Sequence, residues 1–191
     1  WPHQLLLSKA VFLEKPETKT AKFGDPLAYR VLQILPTLYR RWGMVRLYHL
    51  RSWCEEWGLG AMYAGLPYRG AEQAIWHLAL DIEEALLSGE EVSLFSIDLF
   101  KCFDQINRPL LYRLLSLAGV PEGVVRAYRC FQERVMVYNH LASGLGAPHR
   151  RARGIPQGCP LSMLFTALLL RPWIIEMQAG GAIPRVLADD L

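Results

Sequence analysis

Arg153-Gly154-Ile155-Pro156-Gln157-Gly158-Cys159-Pro160-Leu161-Ser162 runs directly into the most apolar part of the chain, Leu161–Ile175. A loop feeding a helix accounts for the glycines and prolines, because glycine admits close backbone approach and proline is tolerated where helices begin. It does not account for the order Pro-Gln-Gly-Cys-Pro-Leu-Ser. The apolar stretch is too short to span a bilayer and is interrupted by Arg171 and Pro172, so it reads as a buried helix over 161–177.

Two other segments stand out around this one. Upstream, Phe95-Ser96-Ile97-Asp98-Leu99-Phe100-Lys101-Cys102-Phe103-Asp104 places an aspartate at the end of the apolar run 91–99, which reads as a buried strand. Downstream, Val186-Leu187-Ala188-Asp189-Asp190 sets two adjacent carboxylates after a short strand beginning near Arg185. Taken singly, each aspartate is a turn or cap residue. Taken together, they define a chemistry. Hard divalent cations are held by carboxylate oxygens and substrate phosphates. If the strand ending at Asp98 lies beside the one ending at Asp189, their carboxylates meet at one sheet edge and repel unless cations lie between them. Such a pair can hold two metals about 3.5–4 Å apart, the arrangement that serves in-line phosphoryl transfer.

The remaining sequence reads as α+β without regular βαβ alternation. Apolar runs at 10–13 and 31–35 flank a polar loop over 17–26. A helix is expected over 37–57, carrying Arg40, Arg41, Arg46 and Arg51. Another is expected over 71–87, with Ile75, Leu78, Ile82 and Leu86 on one face and Gly89 as its stop. Helices over 109–118, capped by Asn107, and over 121–132 precede a strand over 135–142. Trp76 and the other tryptophans read as core residues. Of 191 residues, 52% are hydrophobic and 20% charged, which excludes a disordered chain. The net charge of +3 does not by itself announce a nucleic-acid partner. Four cysteines without a C-x-x-C pair point to neither zinc nor a disulfide framework, and so to a reducing, intracellular setting. The Trp start and the stop after Ala-Asp-Asp-Leu read as cuts in a longer protein, and no signal peptide or membrane span is read.

The ordered set of segments resembles the reverse transcriptases. Asp98–Asp104 resembles their motif A, Ile155–Ser162 their motif B in the form found in non-LTR retrotransposons, and Ala188-Asp189-Asp190 their motif C. Glu14-Lys15-Pro16, Tyr29–Leu32 and Gly65–Ile75 resemble segments that precede motif A. The resemblance implies a right-hand polymerase palm with partial fingers, an antiparallel sheet packed on helices, and no thumb. Residues 1–70 would be fingers-like, and 71–191 the palm, truncated after motif C. The implied activity is RNA-directed DNA synthesis with an RNA template, a DNA primer, dNTPs and two Mg²⁺ ions, Mn²⁺ being the alternative, with nuclear action as a retrotransposon would have it.

Residue by residue, the resemblance makes Asp98, Asp189 and Asp190 the catalytic, metal-binding carboxylates. Phe103 falls at the steric-gate position that excludes a ribose 2′-hydroxyl. Lys15 and Arg30 match finger residues around the triphosphate. Gln157 and Gly158 match positions at the nascent base pair, and Pro156 a position along the template. Arg151 and Arg153, in the basic run His149–Arg153, would meet template phosphates. Two positions depart from the family pattern: Leu187 stands where an aromatic residue is usual, and Met163 where proline is common. Two other readings compete: a catalytically inactive, RNA-binding descendant, and an unrelated Mg²⁺-dependent phosphohydrolase built on paired aspartates, which leaves the Pro-Gln-Gly segment unexplained.

Overall fold

The computed structural model describes residues 1–14, 29–141 and 144–191. Lys15, the loop expected over 17–26, and Ala142 lie outside them. In chain order the elements are a short 3₁₀ turn (His3–Leu6), β1 (Leu7–Glu14), β2 (Tyr29–Ile34), α1 (Thr37–His49), α2 (Arg51–Trp57), α3 (Ala71–Ser88), α4 (Cys102–Gln105), α5 (Arg108–Leu117), α6 (Glu122–Arg134), β3 (Met136–Leu141), β4 (Gly144–Leu145) and α7 (Ser162–Ala179). They pack as two units. Unit 1 comprises Trp1–Arg46 and Phe103–Pro160; unit 2 comprises Leu47–Cys102 and Leu161–Leu191.

Unit 1 holds a four-stranded sheet of order β2-β1-β3-β4. β1 and β2 are antiparallel, with Lys9 opposite Ile34 and Glu14 opposite Tyr29. The sheet is mixed rather than antiparallel, because β3 joins β1 in parallel, Leu7 opposite Met136. A parallel pair needs a long crossover, and the chain between β1 and β3 supplies one. The helical hairpin of α5 and α6 begins as the sequence predicts: the Asn107 side chain accepts a hydrogen bond from the Leu110 amide (3.1 Å). Pro121 occupies the N-cap of α6, one residue ahead of the first helical position.

Aromatic packing centres unit 1. Tyr39 and Phe131 stack with centroids 3.5 Å apart, and Trp1 meets Tyr39, Trp42 and Phe131 edge-on. Tyr39 and Phe131 are wholly buried. The Tyr39 hydroxyl accepts from Gln132 Nε2 (3.3 Å) and lies 3.4 Å from Cys159 Sγ. Burial, and then the neighbouring Cys159, push this phenol well above its ordinary pKa, so it remains a neutral hydroxyl.

Unit 2 departs from the sequence reading in three places. The helix expected over 37–57 breaks at Leu50 (φ −89°, ψ 0°). No glycine or proline marks the break; Leu50 and Cys54 are both buried there. In α3 the inward face is Ala74, Leu78, Ile82 and Ala85, whereas Ile75, Leu86 and Trp76 are exposed. An apolar stripe fixes a period, but the neighbours choose which side is covered. The run 91–99 is not a buried strand: Phe95 is 81% exposed, and the segment pairs only over Ile97–Leu99. An apolar run signals burial only when a partner covers it. By contrast, α7 is buried over most of its first half, from Ser162 to Leu168. Among the described residues no helix is long and apolar enough to cross a membrane.

The aromatic centre makes a direct prediction. Phe131→Ala should lower the stability of the folded chain by about 3–5 kcal/mol. Leu87→Ala, at a 91% exposed site, should change it by less than about 0.5 kcal/mol. Chemical denaturation followed by circular dichroism measures both, and equal losses would contradict the packing described.

Candidate active site

The three sequence-singled aspartates all lie in unit 2, and backbone pairing places them. Val186 is buried and bridges Met62: the Tyr63 amide donates to the Val186 carbonyl, and the Val186 amide to the Ala61 carbonyl, both at 2.8 Å. Val186, Met62, Ala61, Ala167 and Ile174 form one apolar cluster, with Leu191 packed against it. The preceding residue, Arg185, pairs with Asp81 of α3 and donates to the His77 carbonyl.

Held at this point, the chain reverses in a two-residue turn. The Leu187 amide donates to the Asp190 carbonyl (2.9 Å), and the Asp190 amide to the Leu187 carbonyl (3.1 Å). Ala188 has φ +62° while Asp189 stays outside the left-handed region, the pattern of a type II′ hairpin turn. A non-glycine residue at positive φ is strained by roughly 1–2 kcal/mol. The flanking pairs, which also hold the returning limb, hold the turn against that strain.

The returning limb receives motif A. Ile97 and Leu191 exchange both backbone hydrogen bonds at 2.9 Å, and the Leu99 amide donates to the Asp189 carbonyl (3.0 Å). Asp98 therefore stands directly opposite Asp190 in an antiparallel pair. It is the non-hydrogen-bonded position, where facing side chains come closest and share one face. Both residues are exposed. Two like charges so placed destabilise the pairing unless a cation sits between them. Asp189, in the turn, is half-buried, and its charge is felt by Cys102: burial first and this carboxylate second raise the Cys102 thiol above its ordinary pKa.

The sequence reading paired Asp98 with Asp189; the residue opposite Asp98 is Asp190. Among the described residues, no three His, Cys, Asp or Glu side chains gather as a ready-made metal centre. The donor set nevertheless suits Mg²⁺, which keeps several waters and is held by one or two carboxylates completed by substrate phosphates. Leu187, at the start of the turn, is half-buried.

Motif B lies mainly in unit 1. The Ile155 amide donates to the Phe103 carbonyl (2.8 Å) and the Gly154 amide to the Ile106 carbonyl (2.9 Å). Gly154 has φ +80°, and a Cβ there would lie 2.6 Å from the Asp104 carbonyl oxygen. At Gly158 a Cβ would lie 2.5 Å from the Gln33 carbonyl oxygen. Both glycines are therefore demanded by backbone contact. Pro156 is buried, Gly158 half-buried and Gln157 exposed; Phe103 is 7% exposed, its ring turned into the protein. Arg30 projects from β2 as an exposed residue.

The basic run before motif B divides. Arg153 is exposed, whereas the Arg151 guanidinium is taken up internally. It pairs with Asp104 and donates to Gln33 Oε1 (3.0 Å). Gln33 is itself buried and donates to Ser8 Oγ (2.8 Å). The Arg151 carbonyl accepts from Arg108 Nη2 (2.6 Å). Gln33 and Arg108 were not legible as site residues, because nothing about a lone glutamine in a strand or an arginine at a helix start marks it as a bracket for a distant loop.

The two motif-B glycine contacts set a sign contrast. Gly154→Ala should cost about 3 kcal/mol, the sum of positive-φ strain and backbone overlap. Gly123→Ala, in α6 with open space around its Cβ, should gain about 0.5–1 kcal/mol. Thermal melting reads both; a harmless Gly154→Ala would contradict the contact with Asp104.

No family model matches the chain, and no curated protein matches it. Among solved structures it is similar to apo telomerase from Candida tropicalis, truncated from its C-terminal domain, with a TM-score of 0.59 at 12% identity. The likeness covers 98% of this chain and 43% of that one. At that identity the likeness is one of fold: nearly the whole chain shares an α+β architecture with part of a telomerase.

Proposed function

We propose that the chain is the fingers-and-palm part of an RNA-directed DNA polymerase, transferring nucleotides from dNTPs to a primer 3′-hydroxyl. The observation that carries this reading is the placement of Asp98 directly opposite Asp190, beside the turn that carries Asp189. The fold shared with a telomerase, itself a polymerase of the reverse-transcriptase kind, supports it, as does the order of the three motifs. The form of motif B favours a non-LTR retrotransposon origin.

In this reading Asp98 and Asp190 would hold Mg²⁺ from one face of the pair together with substrate phosphates, and Asp189, which does not gather with them as a ready-made metal centre, would be the third carboxylate of the site. The bound ions would lower the pKa of the attacking hydroxyl and offset charge on the departing pyrophosphate. The protein's own contribution is to fix the carboxylates. The Val186–Met62 bridge and the Arg185–Asp81 pair hold the turn against α3 and the loop before it, so the carboxylates are set before substrate arrives. Gly154 and Gly158 let the motif-B backbone lie against the Asp104 and Gln33 carbonyls, leaving the exposed Gln157 able to donate and accept hydrogen bonds at a base pair. Pro156 and Arg153 would lie along the template, whereas the Arg151 guanidinium, the other expected template contact, is taken up by Asp104 and Gln33. Lys15 and Arg30 would meet the triphosphate. The fingers-like part would be 1–70 and the palm 71–191.

The chain spans 43% of the solved telomerase chain, so the test uses the full-length protein that carries it. Primer extension on an RNA template with Mg²⁺ and dNTPs should proceed. Asp98→Asn should lower it by at least about a hundredfold, on the scale of a lost metal ligand, with RNA affinity kept. Extension that survives Asp98→Asn would reject the role of the pair. A folded, RNA-binding protein without extension would establish instead an inactive descendant, a reading that Leu187, in place of an aromatic residue, favours.

A further inference from the structure

We propose that the groove between α5 and α6 is a second binding surface, one that takes the phosphates of a nucleic-acid strand. The groove lies wholly within unit 1 and has a volume of about 660 Å³. Four arginines line it: Arg108 and Arg113 from α5, and Arg126 and Arg129 from α6.

Its charge is not cancelled from within. Arg108 is buried, and its Nε lies 3.3 Å from Glu133 Oε1 while Nη1 donates to the Gln132 carbonyl (2.9 Å). Tyr112 also donates to Glu133 Oε1 (2.8 Å), so that carboxylate, although 43% exposed, is shared between Arg108 and Tyr112. Burial, and then Glu133, raise the Tyr112 phenol, which therefore stays a neutral donor. Arg113, Arg126 and Arg129 are exposed at the rim, and among the described residues none of them forms an ion pair. Arg129 lies over the Tyr112 ring at 5.6 Å, which holds it at the lip. The other lining carboxylate, Glu122, is exposed in the first turn of α6, where the helix dipole favours a negative charge.

Arg126 and Arg129 are one helical turn apart, a spacing at which like charges repel. A chain gains nothing from that repulsion unless an anion sits there. The groove is open and wider than one phosphate needs, and guanidinium forks match phosphate oxygens in pairs. Three such forks lining one groove suit a repeating anion. Neither Asp98 nor motif C contributes to this surface, and of the segment before motif B only Ala152 lines it.

Fluorescence anisotropy of a labelled single-stranded RNA on the full chain tests it. Arg113→Gln with Arg126→Gln should weaken binding about tenfold and flatten the dependence of log K on log salt by roughly 1.5. Arg113→Lys with Arg126→Lys should keep most of the slope. Both sites are exposed, so an unchanged melting temperature is expected. Should the Gln pair lose its helical signal, Arg126→Gln alone gives the same reading at about half the change in slope. Unchanged affinity and slope would overturn the proposal. So would displacement of the RNA by inorganic pyrophosphate at equal phosphate concentration, which marks a small-anion site, or by polyglutamate as readily as by RNA, which marks an acidic protein partner. Asp98→Asn should leave this binding intact, so the groove and the polymerase reading fail separately.

Discussion

The pairing of Ile97–Leu99 with Asp189–Leu191 is the constraint on which the site in unit 2 depends. Without it, Asp98 is one carboxylate on an exposed, irregular segment, and Asp189 and Asp190 are two more at a turn. With it, Asp98 and Asp190 occupy one face at the closest position an antiparallel pair allows. That position is costly for two negative charges. The buried Val186, its bridge to Met62, and Leu191 against the same cluster supply the apolar and backbone interactions that offset it. A site that stores repulsion in its resting state is one that a cation would stabilise.

Unit 1 organises motif B by a different device. Its glycines lie against carbonyl oxygens of Asp104 and Gln33, and its preceding arginine is drawn inward by Asp104 and Gln33. Arg108, buried at 5% exposure, is the hub: it reaches Glu133, the Gln132 carbonyl and the Arg151 carbonyl. Nη1 and Nη2 donate to the two carbonyls, while Nε, beside the Glu133 carboxylate, has no hydrogen-bond partner among the described residues, so this network fixes the loop and pairs the buried charge without satisfying every donor. Arg151 belongs to that scaffold through its side chain, and Arg153 is the member of the basic run left facing solvent.

Local signals carried much of the fold. The Asn107 cap, the Gly89 stop of α3 and the apolar runs behind β1, β2 and α7 sit where chain chemistry puts them. What was illegible depends on distant partners. Parallel entry of β3 beside β1 requires the whole crossover, and the exposure of Phe95 and Trp76 depends on what the surroundings leave uncovered. The site divided in the same way. The aspartates were visible as a set, but which of the two motif-C carboxylates faces Asp98 is decided by a turn at Ala188. That turn places a residue without special tolerance at positive φ, which no propensity argument would select.

Divalent-cation binding by this chain tests the central claim most directly. Mn²⁺ titration followed by electron paramagnetic resonance should show binding that weakens at least about tenfold in both Asp98→Asn and Asp190→Asn, since each removes one of two facing carboxylates. Glu84→Gln, at an exposed position on α3, should leave it unchanged. An Asp190→Asn protein that binds Mn²⁺ as tightly as the unaltered chain would contradict the account.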